Sequence, residues 1–228
     1  MATTGLSKPF VAKYSSDGSG KVSFSDLQSA DKLVEYSVDI TSTESNPLHA
    51  DNMIQENDPG SFSSGKLKVK TTEFTGNMSE MFLNAKVVKR NIGDKEVDEI
   101  VFDDDMIANE LAYGLIEEHI IDGVKCYLPI VFPRVLFSIP GTSATTRADK
   151  IEWQTPEIEG IIYRSDQSDV YYNHPWRLSP KEPMSTELDA EKYIRAVLAE
   201  KEITPNGEQS PQSINVELPT PKVKEVSK

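Results

Sequence analysis

The residues of this chain that could do chemistry are few and poorly spaced for it. Asp103-Asp104-Asp105 could hold a hard cation, as a metal-dependent hydrolase would require. The run lacks the alternating ligands and the glycine of a calcium loop, so it reads as a solvated acidic turn. Glu117 and Glu118 could be imagined as an acid and base pair. Neighbours on a strand point to opposite faces, however, and cannot share a substrate. His49, His119 and His174 lie in three different segments, none set beside a carboxylate at helical spacing. SSDGSGK at 15–21 departs from a phosphate-binding loop, which needs Gly where Ser15 stands and Ser or Thr where Val22 stands. GTSAT at 141–145 is no nucleophile elbow, because Thr145 occupies a position that must be Gly. The expectation is a chain that is not an enzyme, with no catalytic residue, metal or cofactor.

With chemistry set aside, the remaining question is what the chain builds. Its 228 residues suffice for one domain with appendages. Lys plus Arg number 24 against 37 Asp plus Glu, a net charge of −13. Such a surplus repels nucleic acid backbone and anionic lipid alike. The single cysteine, Cys126, excludes an intrachain disulfide and points to a reducing cytosol. No apolar run reaches the roughly 18 residues of a membrane span, and the N-terminal stretch lacks the apolar segment of a signal peptide.

Period-two patterning dominates. SSDGSG at 15–20 reads as a turn between two short extended pieces. In VEYSVDIT, Val34, Tyr36, Val38 and Ile40 alternate with polar residues, the mark of a half-buried strand. LHADNMIQE (48–56) and GKLKVKT (65–71) read as the two arms of a long polar hairpin, with Asp58-Pro59-Gly60 as its sharpest turn signal. GNMSEMFLNAKVV (76–88) changes to helical spacing, with Ser79 as a candidate cap. An acidic segment over 94–105 follows, answered only by Lys95. ELAYGLIEEHII and VKCYLPIVFPRVLF flank Asp122-Gly123, a strong hairpin signal, and Pro129 and Pro133 mark an edge or a bulge. A last helix is expected at 185–201, capped by Ser185, with Leu188, Ala190, Ile194, Val197 and Leu198 on its apolar face. Residues 202–228 hold four prolines and no aromatic, and read as a flexible tail beyond a domain at 1–201.

These pieces occur in a familiar order. Residues 110–164 resemble the signature region of major tail proteins, the tail tube subunits of long, non-contractile-tailed bacteriophages of Gram-positive hosts. The resemblance rests on Tyr113-Gly114 in a strand, the hairpin at Gly123, an apolar strand with Pro and a basic residue, and IEWQTPEIEG with Trp153, Pro156 and Gly160. HADNMIQENDPGSFSSGKLKVKTTEFTGNM (49–78) is similar to that family's ADN strand, variable loop and Gly-led strand before a helix.

The resemblance implies a mainly β, α+β fold: a β-sandwich or barrel-like tail tube domain with a flanking short helix, a long polar hairpin and a C-terminal helix. It implies rings, usually hexameric, that stack into a hollow tube through which DNA passes without sequence-specific binding. The partners implied are further copies of the chain and other tail components, such as tape measure, tail terminator and baseplate proteins. The localisation implied is the virion tail, and the host cytoplasm before assembly. Asp51, Asn52, Glu56, Asp58, Lys66, Lys68 and Lys70 are the candidate lumen or inter-subunit hairpin residues. Closure between neighbouring subunits would remove exposed strand edges.

Glu152, Glu157 and Glu159 are candidate inter-subunit carboxylates. Ile151, Trp153, Ile158 and Ile162 read as core, Thr155-Pro156 as a bend or edge, and Gly160 as a bulge or close approach. A competing expectation is a monomeric β-sandwich binding module for carbohydrate or protein, using Tyr171, Tyr172 and Trp176 as an aromatic platform.

Overall fold

A computed structural model describes residues 2–141 and 155–199. Its strands follow in chain order: β1 (Thr3–Ser16), β2 (Val22–Ser29), β3 (Leu33–Ser42), β4 (Asn46–Ala50), β5 (Met53–Asp58) and β6 (Phe62–Thr71). Helix α1 (Gly76–Leu83) comes next, then β7 (Lys86–Ile92), β8 (Lys95–Val101), β9 (Glu110–Ile121), β10 (Val124–Phe137), β11 (Glu157–Ile162) and helix α2 (Glu187–Val197). The fold is mainly β.

Seven strands form one antiparallel sheet in the order β2-β1-β9-β10-β11-β6-β3. The sheet curls until β3 faces the N-terminal half of β1, where Thr3, Leu6, Tyr36 and Glu117 line a common cleft. The barrel-like form of the expected architecture follows from that curl. β1 makes it possible by changing partners along its length. Its register on β9 shifts between Ser7 and Phe10, around Lys8-Pro9, and β2 joins its other edge only from Phe10 onward. Proline there removes a ladder donor and lets the strand bend.

Alternation along the strands divides the apolar residues between two cores. Inside the curl, Val11, Leu67, Val69, Leu111, Tyr113, Leu115, Ile130, Phe132 and Phe137 pack against Met78, Met81, Phe82 and Leu83 of α1. Each such burial contributes about 1.5–3 kcal/mol relative to exposure. On the outer face, Phe10, Ala12, Ala112, Ile116 and Val131 receive Ala190 and Ile194 of α2 and Leu198 at its C-cap. That i, i+4, i+8 stripe is the narrow apolar face of an otherwise polar helix.

Several expectations are corrected by local chemistry. α1 stops at Leu83 because Asn84 takes the left-handed conformation and closes the helix, its N–H bonding Glu80 O. Val87 and Val88 therefore belong to a strand. Thr75 precedes the helix, while Ser79 lies buried inside it and returns its hydroxyl to Thr75 O. Thr186, not Ser185, caps α2: its hydroxyl oxygen accepts from Asp189 N at 3.1 Å. Leu188 is exposed. The Asp122-Gly123 hairpin stands as expected, and β1, at 14 residues, is far from short.

Both prolines of β10 have a reason. Pro133 sits in the bulge between Phe132 and Val135. Pro129 lies where β11 does not reach, between the isolated bridges Tyr127 to Met184 and Val131 to Leu178.

Candidate functional site

The residues singled out by sequence separate into a charged ladder and a projecting ribbon. On the outer face of the curl, Lys66, Lys68 and Lys70 alternate along β6 between acidic neighbours on both sides. Lys66 Nζ lies 2.7 Å from Glu159, Lys68 Nζ lies 3.0 Å from Glu159 and 3.8 Å from Glu157, and Lys70 Nζ lies 2.8 Å from Glu35 and 3.6 Å from Glu157. The carboxylates are thus answered within their own chain, leaving a flat, solvated face of interleaved charge.

The Lys66 and Lys68 ammonium groups that hydrogen-bond Glu159 hold its carboxyl below the usual range. Reciprocally, the bond that Lys68 donates to Glu159 raises Lys68, and the bond that Lys70 donates to Glu35 raises Lys70. Open to water, these pairs are screened by salt and add little to stability. Their effect is to fix where charge sits.

The expected hairpin of 48–56 against 65–71 is not how the chain pairs. β6 lies between β3 and β11, whereas 48–56 folds on itself as β4 and β5. The tight turn is Asp51-Asn52, at φ 52° and 62°, two residues whose side chains tolerate the left-handed region. Asp58-Pro59-Gly60 instead makes a kink against Thr43, where Thr43 N donates to Ser61 O and Ser61 N to Thr43 Oγ1, each at 2.8 Å. Gly60 has φ 78°, and a β-carbon there would meet Thr43 O at 2.2 Å.

β3 to β6 therefore form one long ribbon whose outer end, β4 and β5, leaves the main sheet. Asp51, Asn52, Glu56 and Asp58 all lie on that end, exposed beside Leu48, Met53 and Ile54.

A second free hairpin, β7 with β8, was hidden in the acidic segment. Its carboxylates are answered by more than Lys95: Lys89 pairs with Glu96 and Arg90 with Glu99, each at 2.5 Å. Lys86 reaches Asp103 at 2.7 Å and Asp105 at 3.2 Å, which accounts for two of the three run aspartates. Val87, Val88, Ile92 and Val97 are exposed along it. Among the described residues, neither hairpin is hydrogen-bonded into the seven-stranded sheet. A lone two-stranded hairpin is marginal in water unless something packs against it.

The signature residues serve packing. Gly114 and Gly160 are places of close approach: a β-carbon would meet Ile194 Cγ2 at 2.8 Å in the first case and Val135 Cγ1 at 2.8 Å in the second. Gly123 takes φ 81° in its turn. Pro156 offers its carbonyl to Thr71 N at 3.1 Å. Tyr113 is buried, and burial alone raises its phenol above the ordinary value. Ile158 and Ile162 are core as expected, while Ile151, Glu152, Trp153 and the tail at 202–228 lie outside the described residues.

The aromatic trio does not share one platform. Trp176 stacks on Phe62 with ring centres 4.6 Å apart, and Tyr172 lines a groove with Phe24 and Tyr193. Tyr171 stands out into solvent.

One constellation escaped the sequence reading. Glu117 and His119 are i and i+2 on β9, so they share its inner face, and Tyr36 reaches them from β3. Strand spacing would have found the pair where helical spacing was sought. Among the described residues, no group of three or more His, Cys, Asp or Glu is placed to hold a metal ion. No helix among them is long and apolar enough to cross a membrane. A scan against protein-family models finds no match, and a search of curated proteins finds none.

Proposed function

We propose that this chain is a structural subunit that assembles with copies of itself into stacked rings, forming the tube of a bacteriophage tail. The observation that carries this reading is the pair of hairpins, β4 with β5 and β7 with β8, which leave the barrel with apolar side chains exposed and, among the described residues, no third strand. A subunit built to pair with neighbours needs such ribbons, and pairing would supply the packing that each lacks. A head-to-tail contact of this kind closes into a ring when its rotation permits. No catalysis is assigned.

In this reading the net charge of −13 keeps passing DNA from adhering, since phosphates and carboxylates repel. The chain works in the virion tail after a stage in the host cytoplasm. Tape measure, terminator and baseplate proteins are the further partners that the reading carries.

Electron microscopy of the concentrated full chain, with light scattering of a dilute sample, tests it. Rings or hollow tubes are the expected result. A monomer at every concentration, unchanged by shortening the β4 and β5 ribbon, would overturn it in favour of a monomeric binding module.

A further inference from the structure

The cleft at the seam of the barrel, about 570 Å³ in volume, is lined by Tyr36 and Glu117, and Glu117 is bonded in turn to His119, its i+2 neighbour on β9. His119 is buried, and each of its ring nitrogens faces an oxygen. Nε2 lies 3.0 Å from Glu117 Oε2, and Nδ1 lies 3.2 Å from the backbone oxygen of Ala2. The other carboxylate oxygen, Glu117 Oε1, accepts the hydroxyl of Tyr36.

Proton counting follows from these partners. A backbone carbonyl can only accept, so Nδ1 must donate. As a carboxylate, Glu117 accepts at both oxygens, from Tyr36 and from His119, and Nε2 then donates as well. A neutral imidazole has one N–H and cannot do both. Burial and the bond to Glu117 raise the Tyr36 phenol above its usual value, which keeps it a donor throughout.

We infer that Glu117 and His119 form a proton-linked clasp that fastens the start of the chain to the barrel, closed when the imidazole carries two protons and loosened when it carries one. The inference is independent of the tube reading.

Its mechanical sense lies in where the three partners sit. Ala2 immediately precedes β1, Glu117 and His119 belong to β9, and Tyr36 belongs to β3 on the far side of the seam. Beyond Phe10, β1 is held by two neighbours, but its first residues pair with β9 alone. The clasp secures the half of the strand that β2 leaves uncovered.

The surrounding charges come from every packed element. β3 brings Tyr36 and Glu35, and Arg177 from the segment after β11 acts on Tyr36. On β9, Glu118 points to the other face, where it meets Lys125 of β10 at 3.7 Å. Cys126, opposite His119, directs its thiol to the His119 carbonyl at 3.7 Å. The first residues of β1 bring no charged side chain before Lys8, which is taken by Glu191 of α2 at 2.7 Å.

The sign is fixed by linkage. The closed clasp binds one more proton than the open one, so rising pH favours opening, by at most tenfold per pH unit for one proton. Histidine is the side chain suited to that role near neutrality.

The test is nitrogen NMR of the full chain with labelled histidine, read beside amide protection at Thr3–Leu6 between about pH 6 and pH 9. Two attached protons on the His119 ring at the lower pH are expected. One should be lost on raising the pH, with protection at Thr3–Leu6 falling in parallel by up to about tenfold per unit. Protection at Ile130–Phe132 should stay level. His119→Gln should flatten the response, and Glu117→Gln should do the same, since a side-chain amide can donate to a neutral ring. A singly protonated ring at the lower pH would overturn the inference, as would strand protection indifferent to pH in the unaltered chain.

Discussion

Ile194 of α2 lies over Gly114 of β9 so closely that a β-carbon at position 114 would stand 2.8 Å from Ile194 Cγ2. Ala12 and Ala112 are the neighbouring small residues on that face. Together they form the shallow seat on which the helix rests.

Gly114→Ala should therefore lift α2 from its seat. Overpacking of this kind costs about 1–3 kcal/mol. For a chain of this size the melting temperature should fall by roughly 2–12 °C, with about 2–4 °C for each kcal/mol. Scanning calorimetry checks it. Measured in an Ile194→Ala background, Gly114→Ala should cost less, because the Cγ2 methyl that the new β-carbon would meet is gone.

Thr186→Ala should destabilise the same helix from its other end. The Thr186 hydroxyl accepts from Asp189 N and donates to Asp189 Oδ2 at 2.7 Å. Loss of such a cap costs about 1 kcal/mol. Thr186→Ser should stay near the parent in a denaturant titration, since the oxygen is retained.

The ladder should show itself in pH dependence more than in stability at neutral pH. Glu159 is lowered by Lys66 and Lys68, so its contribution is present above the ordinary carboxylate range and is lost as pH falls through the lowered value. Lys68 and Lys70 are raised, so theirs is present below the ordinary lysine range and lost as pH rises through the raised values. Between those limits the ladder is intact. Thermal melts of the parent and Glu159→Gln should differ slightly within this window, and converge in acid or in high salt.

Replacing 47–57 by a two-residue Asn-Gly turn should leave the barrel folded while abolishing assembly into tubes. β4 and β5 make no ladder with the main sheet, so circular dichroism and the melting temperature should hardly change. Ile54→Asp with Met53→Asp should act in the same direction, by placing charge on the exposed apolar end. Tubes of normal appearance from either variant would remove the ribbon from the interface.

How much of this was legible in the sequence depended on burial. β9 and β10 were readable because one face is core and the turn between them is Asp122-Gly123. The ribbon was misread because its end is exposed on both faces: Leu48, Met53 and Ile54 follow no burial period, and Asp58-Pro59-Gly60 outweighed Asp51-Asn52 as a turn signal. β7 and β8 failed for a related reason: only Glu99, Ile100 and Val101 at the base are half-buried, and the rest of the hairpin is exposed on both faces and carries no pattern. The extent of α1 was overdrawn because Val87 and Val88 extend its spacing, while the left-handed turn at Asn84 depends on a single residue. Of the candidate site residues, Lys66, Lys68, Lys70, Glu157 and Glu159 were recognised one strand at a time. Their pairing depends on β6 lying beside β11, a neighbour drawn from about ninety residues away in the chain.

That the first strand pairs with β9 has a consequence for how the molecule is made. Thr4 bonds to Glu118 across 114 residues of chain. At about 5–20 residues per second, a ribosome needs roughly 6–23 s to supply the partner. During that interval β1 and β2 can form only a local ribbon with an open edge, and closure of so long a loop is slow. The apolar run Phe10-Val11-Ala12 is flanked by Lys8-Pro9 on one side and Lys13 on the other. Charge and proline at those positions discourage edge-to-edge aggregation, so the nascent strand is guarded by the residues that later bend it into the barrel.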